Sequence, residues 1–308
     1  MPARTFLSSG DLVADRRYEF ARDLQLKGDL VAAADLLLQA VELAPKFASA
    51  WFTLGQIREQ LGEREAAVAA FRAARAADAD DRHGASLHLM RLGAEQVAAM
   101  PTAYVQTLFD QYAPRFEAAL VGDLGYRGPA LLFKAVLSVR SAAKKPVFFK
   151  RAIDLGCGTG LAAAAFAKNV DRFIGIDLSP RMIEKARATG LYAELEVDDM
   201  LQGLRSKPEG SAELILAADA MVYVADLAPV LAETQRVLTA GGLLAFTTET
   251  HDGEGVILGH GLRYARSAPY VCASIEAAGL KLSQLEDLSA RNEDHVPAPG
   301  LVVAAAKT

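Results

Sequence analysis

Cysteine is nearly absent: Cys157 and Cys272 are the only two in 308 residues. This excludes a disulfide framework and a thiolate metal cluster. The five histidines include no spaced ligand pair such as His-Glu-x-x-His, so no metal is expected. No apolar run is long and uninterrupted enough to span a bilayer, and the first residues lack the basic-then-apolar order of a secretion signal. A reducing cytoplasm is therefore the expected location, away from membranes. The formal net charge of -5 offers no global attraction to phosphate backbones, so no nucleic-acid partner is expected. What the chain has in quantity is hydrophobic side chains, 52% of the total, enough at this length for two domains.

The first hundred residues repeat internally. A shift of 34 positions places Gly28 on Gly62, Ala33 on Ala67, Leu37 on Phe71 and Ala40 on Ala74. Small residues recur where helices approach closely, and large apolar ones recur where the groove between them must be filled. The second copy adds Trp51, Leu54 and Gly55, and the first ends at Pro45. The period and pattern resemble tetratricopeptide repeats. Helices are expected at 14–27, 30–43, 48–61 and 64–77, with one at 83–98 capping the stack. Residues 1–99 then form an all-α repeat domain whose surface suits a second copy or a protein partner. Two copies are few for a free-standing solenoid, since each repeat buries its face only against a neighbour.

The stretch Ala152-Ile153-Asp154-Leu155-Gly156-Cys157-Gly158-Thr159-Gly160 carries the chemistry. It reads as a buried strand, an acidic residue at its carboxyl end, and a glycine turn opening a helix at Leu161. Alternate glycines let a ligand approach the backbone, and the turn aims free amides at it. Some twenty residues on, Phe173-Ile174-Gly175-Ile176-Asp177 is a second strand ending in a carboxylate, suited to both hydroxyls of a ribose. The run from Gly158 also passes as a dinucleotide fingerprint. Against that reading, Asp154 precedes the glycines, where a pyrophosphate would be repelled but a sulfonium and an amino group welcomed. Ser179 and Pro180 after Asp177 suit the cap and first position of a helix.

On these residues, "DLGCGTG" and "GIDLSPRMIEKAR", the chain resembles the class I methyltransferases that use S-adenosylmethionine and release S-adenosylhomocysteine. The likeness extends to bacterial predicted methyltransferases with N-terminal tetratricopeptide repeats. Phe109-Asp110-Gln111-Tyr112-Ala113 and Leu124-Gly125-Tyr126-Arg127-Gly128-Pro129 lie where such proteins carry a helical lid, here residues 100–146. Residues 147–308 are the implied cofactor-binding domain, a Rossmann-like α/β fold with a mainly parallel seven-stranded sheet. Strands are expected near 150–155, 172–176, 192–197, 213–218, 242–248, 280–287 and 300–306. Helices are expected near 160–168, 179–189, 226–239 and 268–278. Pro297, Pro299 and Gly300 suit a hairpin between the last two strands, giving one antiparallel strand at the sheet's end.

The resemblance implies a cofactor site of Asp154, Gly156, Gly158, Gly160, Asp177, Leu178 and Met182. It adds Asp199 for the adenine amino group, Met200 against the ring, and Asp219 at the methionine end. Tyr223 would face the acceptor, with Tyr112 on the lid. The acceptor side draws on loops after the fifth strand, where Glu249, His251 and Arg263 lie. His251 is the candidate general base, having a near-neutral ordinary pKa, and Arg263 a candidate clamp for a substrate carboxylate. Asp219-Ala220-Met221-Val222 is not the proline-rich motif of amino-directed DNA methyltransferases. The Pro-Cys nucleophile of cytosine-C5 enzymes is missing, and two cysteines are too few for arsenic methylation. A small molecule methylated on oxygen, nitrogen or sulfur is the expected acceptor. The alternatives are a peptide presented by the repeats, or a cofactor-binding assembly factor without turnover.

Overall fold

The computed structural model describes residues 5–116, 125–293 and 296–308. The chain divides into two units, Met1–Gln111 with His260–Leu262, and Tyr112–Gly259 with Arg263–Thr308.

The first unit opens with two helical hairpins. Helix α1 spans Leu12–Leu26 and α2 Leu30–Leu43, followed by α3 at Ala48–Gln60 and α4 at Arg64–Ala77. Asp11 starts α1 by accepting the amides of Val13 and Ala14, and Asp29 starts α2 by accepting that of Ala32. Such caps satisfy donors that the helix itself leaves open. Gly28 and Gly62 turn the chain at φ 85° and 77°, a left-handed conformation that glycine adopts without strain. Leu37 and Phe71 are fully buried in equivalent places. Phe71 presses on Gly55 so closely that a Cβ there would sit 2.7 Å from its ring.

The expected long capping helix is instead short, α5 at Ala85–Arg91. Asp81 launches it by accepting the amides of Ala85 and Ser86. Gly93, at φ 67°, stops it, with the Ala94 amide bonded back to the Leu89 carbonyl. The glycine closure outweighs the apolar periodicity that runs on past it. Helix α6 follows at Thr102–Tyr112.

His83 and His88 are buried in this unit. His83 meets the Ser49 hydroxyl at 3.1 Å, and His88 stacks on Phe71 with centroids 4.5 Å apart. Burial lowers the pKa of both, opposed for His83 by Asp78 and Asp81 and for His88 by Glu59. Both therefore hold a proton less readily folded than unfolded, and the unfolded chain binds more protons as pH falls through the ordinary histidine range. Stability is present above about pH 6.5 and is lost as pH falls, by about 1.4 kcal/mol per histidine for each unit at most. Trp51 is the only tryptophan and lies in α3, so its fluorescence melt reports this unit. The melting point should fall from pH 6.5 to 5, and replacing both histidines by glutamine should flatten that fall; an unchanged slope would refute the linkage.

The second unit is built on a sheet. A short 3-10 turn at Ala113–Arg115 and helix α7 at Gly128–Ala142 precede β1, Phe149–Leu155. Helix α8 (Leu161–Phe166), β2 (Val170–Asp177), α9 (Pro180–Ala188) and β3 (Tyr192–Val197) follow. Then come α10 (Met200–Arg205), β4 (Ala212–Ala217), α11 (Ala228–Val237) and β5 (Leu238–Thr250). A small pair, β6 (Val256–Leu258) and β7 (Tyr264–Arg266), leads to α12 (Ala268–Ala277) and β8 (Leu280–Asp287). The chain closes with β9 (Asn292–Glu293), β10 (Val296–Pro297) and β11 (Gly300–Lys307).

The main path of the sheet is β3-β2-β1-β4-β5-β11-β8. Neighbours from β3 to β5 are parallel, and β11 is antiparallel to both β5 and β8. The antiparallel strand is therefore second from the edge, with β8 outermost. The β9–β10 ribbon folds the chain back after β8, so β11 enters the gap beside β5. Core strands are apolar on both faces, as helices on both sides demand. Ile153, Ile215 and Phe246 pack with Leu231 of α11 and Ile275 of α12. Ala152, Leu214 and Ala245 face the other way, with Leu132 of α7 and Phe166 of α8. The pair β6–β7 and helix α10 add to the expected elements; the first lies in a glycine-rich segment, and the second is only six residues long. The fold places the carboxyl ends of β1, β2, β4 and β5 together, where open parallel sheets bind ligands.

Candidate cofactor and acceptor site

Gly156, Gly158 and Gly160 all lie in the left-handed region, at φ 65°, 53° and 98°. A Cβ on Gly156 would meet that of Ala220 at 2.6 Å, so glycine is required there by both conformation and space. The Gly156 and Cys157 amides donate to the Ile176 carbonyl, and the Gly158 amide donates to Asp177 Oδ2 at 2.8 Å. Asp177 Oδ1 accepts the Ser179 amide, and Ser179 Oγ in turn accepts that of Met182. The carboxylate ending β2 thus locks the glycine turn to the start of α9. Leu178 is half-buried, and Met182 is fully buried beneath that helix.

Asp154 is only 1% exposed. Tyr192 donates to its Oδ2 at 2.6 Å. Burial pushes the Asp154 carboxyl up to about 7, with the Tyr192 bond opposing and the Asp177 charge adding. Burial of this kind disfavours the charged carboxylate, and a cation beside it would favour that form. Thr159, 2% exposed, has a hydroxyl without a hydrogen-bond partner among the described residues. An orphaned donor in a left-handed glycine turn, beside a buried acid, fits a polar ligand with a cationic end. The Phe116 ring lies across the turn, 3.7 Å from where a Gly158 Cβ would be. Tyr112 packs edge-on against Phe116 at 6.0 Å, with the Arg115 guanidinium 5.8 Å from the Tyr112 ring. Leu124, at the head of the second lid motif, lies outside the described residues. Asp199 caps α10 by accepting the Leu201 amide, and it and Met200 are half-buried beyond β3.

The other half of the site sits beyond β4 and β5. Asp219 holds φ 56°, an uncommon conformation for a side-chain-bearing residue and one that clusters at functional sites. Its amide donates to Thr247 Oγ1 on β5. Tyr223 accepts a hydrogen bond from Arg263 Nε at 3.1 Å, and that guanidinium lies 5.7 Å from its ring. Arg263 also reaches Glu249 Oε1 at 3.5 Å. Burial disfavours the charge of Arg263, but Tyr223, Asp219 and Glu249 around it more than restore it. The expected carboxylate clamp is thus already paired within the protein.

Arg291, 4% exposed, donates to Glu249 Oε1 and lies 3.8 Å from Asp219 Oδ2. The preceding residues are pinned by Arg127, whose amide and side chain donate to the carbonyls of Ala290 and Ser289. Tyr126 joins the two halves. Burial raises its pKa well above the ordinary value, and Asp219 and Asp154 both add to that shift.

His251 is placed differently from expectation. Its Nδ1 accepts the Gly253 amide at 3.0 Å, and its Nε2 meets the Gly255 carbonyl at 3.3 Å. Nδ1 accepts and Nε2 faces a carbonyl, so both ring nitrogens are engaged by the residue's own turn. Sequence reasoning does not single out Tyr192 or Arg291 as site residues. Tyr192 merely opens a strand and Arg291 sits in an irregular segment, and neither carries a local signal. Glu249 is marked only by its position after the fifth strand, and Tyr126 only by its motif.

Residues 152–242 match the family described as "Methyltransferase domain". The chain is 31% identical over 173 residues to human methyltransferase-like protein 27, covering 56% of this chain and 66% of that protein. It is 30% identical over 101 residues to a ubiquinone biosynthesis O-methyltransferase of Xanthomonas oryzae pv. oryzae, covering 32% of this chain and 42% of the relative. Thus the chain spans between about two fifths and two thirds of these relatives' lengths. Two solved structures share the fold at a TM-score of 0.51. One is a complex of the Haloferax volcanii Trm112 methyltransferase activator with a methyltransferase, at 20% identity and covering 65% of this chain and 97% of that one. The other is the Burkholderia thailandensis 1,6-didemethyltoxoflavin-N1-methyltransferase with 1,6-didemethyltoxoflavin and S-adenosylhomocysteine bound, at 18% identity and covering 70% and 93%. With the glycine turn, the acid-ended strands and the sheet order, these matches establish that the chain carries a class I S-adenosylmethionine-dependent methyltransferase domain.

Proposed function

We propose that this protein transfers a methyl group from S-adenosylmethionine to the oxygen, nitrogen or sulfur of a small molecule. The observation that carries this reading is the continuity of two acidic strand ends. Asp154 and Asp219 close β1 and β4, with the Tyr126 hydroxyl under the influence of both. Asp154, the glycine turn (Gly156, Gly158, Gly160) and Asp219 would hold the amino-acid end of the cofactor. Asp177 and Leu178 would hold its ribose, and Met182, Asp199 and Met200 its adenine side. The cofactor supplies a sulfonium-activated methyl group, so the protein's task is chiefly alignment. Tyr223 would border the acceptor, with Tyr112 and Phe116 shielding the site from water. The relatives named for ubiquinone-related and toxoflavin-related methylation favour a small acceptor over a macromolecule. The helical hairpins we read as tetratricopeptide repeats that engage a second copy or a protein partner.

Calorimetric titration tests the cofactor assignment. S-adenosylmethionine and S-adenosylhomocysteine should bind and NAD should not; binding of NAD alone would overturn the reading. The affinity should also depend on pH. Asp154 is raised to about 7, and only its ionised form attracts a cation. Affinity for S-adenosylmethionine should therefore rise between pH 6 and 8, and Asp154→Asn should flatten the rise. An affinity that falls over that interval would place the cation elsewhere.

A further inference from the structure

We propose that Glu249 is the proton acceptor for the incoming nucleophile, with Arg291 as its positioning residue. The proposal rests on the reading above that this site methylates a small molecule. Three observations carry it. First, Glu249 lies near the end of β5, two residues past Thr247, whose hydroxyl receives the Asp219 amide. Arg291 spans Glu249 and Asp219, so one guanidinium faces both carboxylates. Second, both guanidiniums engage the same oxygen, Oε1. Among the described residues no hydrogen bond reaches Oε2, which leaves a lone pair on a side chain held from two directions. Third, the other bases are committed. His251 uses both ring nitrogens on its own turn, and the Tyr223 hydroxyl already accepts from Arg263. Asp219 stands beside the Gly156–Ala220 contact, on the cofactor side.

The groups facing Glu249 set its charge. Burial pushes its carboxyl up to about 7, Arg263 and Arg266 oppose this, and Asp219 and Glu293 add to it. Arg291 supplies the remaining cation and Tyr223 a neutral hydroxyl. A base poised near neutrality both accepts and releases a proton readily. The acceptor class follows: a hydroxyl or N–H group whose proton must leave. As the acceptor's lone pair bonds to the methyl carbon, the carbon–sulfur bond breaks with its electrons left on sulfur. The acceptor's proton passes to Oε2 and then to water.

The test uses the full chain saturated with S-adenosylhomocysteine and labelled with glutamate carrying carbon-13 at the side-chain carboxyl. The Glu249→Gln variant identifies the Glu249 resonance. Its titration midpoint should lie near pH 7 and should rise in Arg291→Met. A midpoint in the ordinary glutamate range, about 4.3, would overturn the proposal, and wild type alone decides this if Arg291→Met does not fold. In parallel, formation of S-adenosylhomocysteine is followed with a mixed library of phenols and primary amines. Glu249→Gln should lower kcat/KM by about 100-fold and abolish the acid limb of the pH profile, with cofactor affinity unchanged. Retention of that limb would overturn the proposal. If wild type binds the cofactor and methylates nothing, the functional reading fails while the titration still decides the role of Glu249.

Discussion

Arg291→Met should destabilise the methyltransferase unit by about 3–5 kcal/mol, because it strips the buried cation from an acidic cluster. Arg291 is 4% exposed and lies against Glu249, Asp219 and Glu293. Among the described residues its Nε has no hydrogen-bond partner, so geometry alone gives this arginine no surplus of bonds. Its contribution is electrostatic: without it, Glu249 and Asp219 face one another with Arg263 as their nearest compensation. The damage should be partly repaired in the double variant Arg291→Met, Glu249→Gln, since the second change removes one of the stranded charges. Differential scanning calorimetry of the single and double variants measures this. A loss below about 1 kcal/mol, or a double variant less stable than the single one, would show that the cluster is not organised around Arg291.

The second large effect is expected at Asp177. Its two oxygens accept the amides of Gly158 and Ser179, so Asp177→Ala leaves two backbone donors unsatisfied at the opening of the site. Each costs about 1–3 kcal/mol when buried. The glycine turn then loses its tie to β2, while the carboxylate proposed for the ribose hydroxyls disappears. Affinity for S-adenosylhomocysteine should fall by roughly 100-fold or more, the sum of two charge-assisted hydrogen bonds. Asp177→Asn keeps one acceptor oxygen and should fall between the two. Calorimetric titration of all three proteins decides; an alanine variant that binds within about threefold of wild type would remove Asp177 from the cofactor site.

Much of this architecture is legible from local patterns. Periodicity places α2 and α4 at 30–43 and 64–77, and the strands from Phe149 to Val197 to within two residues, because those elements bury regular apolar faces. Asp154 and Asp177 stand out as acids ending apolar strands, where a carboxylate needs polar partners, from a ligand or, as at Asp177, from the backbone amides it accepts. The edge of the sheet is less legible. Only the burial pattern separates the two places: Gly300–Lys307 is apolar almost throughout and buried, as an inner strand must be, whereas β8 alternates with polar residues and is largely half-exposed at the edge.

The sequence by itself determined most of the helices and strands, the glycine turn and the chemistry class, because each rests on a local pattern of residues; the short α5, α10 and the β6–β7 pair are the exceptions. Only the tertiary structure decided which side chains meet at the carboxyl ends of the strands. Tyr192 reaches Asp154 across 38 positions, and Arg291 reaches Glu249 across 42. His251 is attractive as a base until its ring proves to be closed on Gly253 and Gly255. A side chain's freedom to accept a proton depends on which hydrogen bonds it already makes, and those partners are chosen by packing rather than by neighbours in the chain.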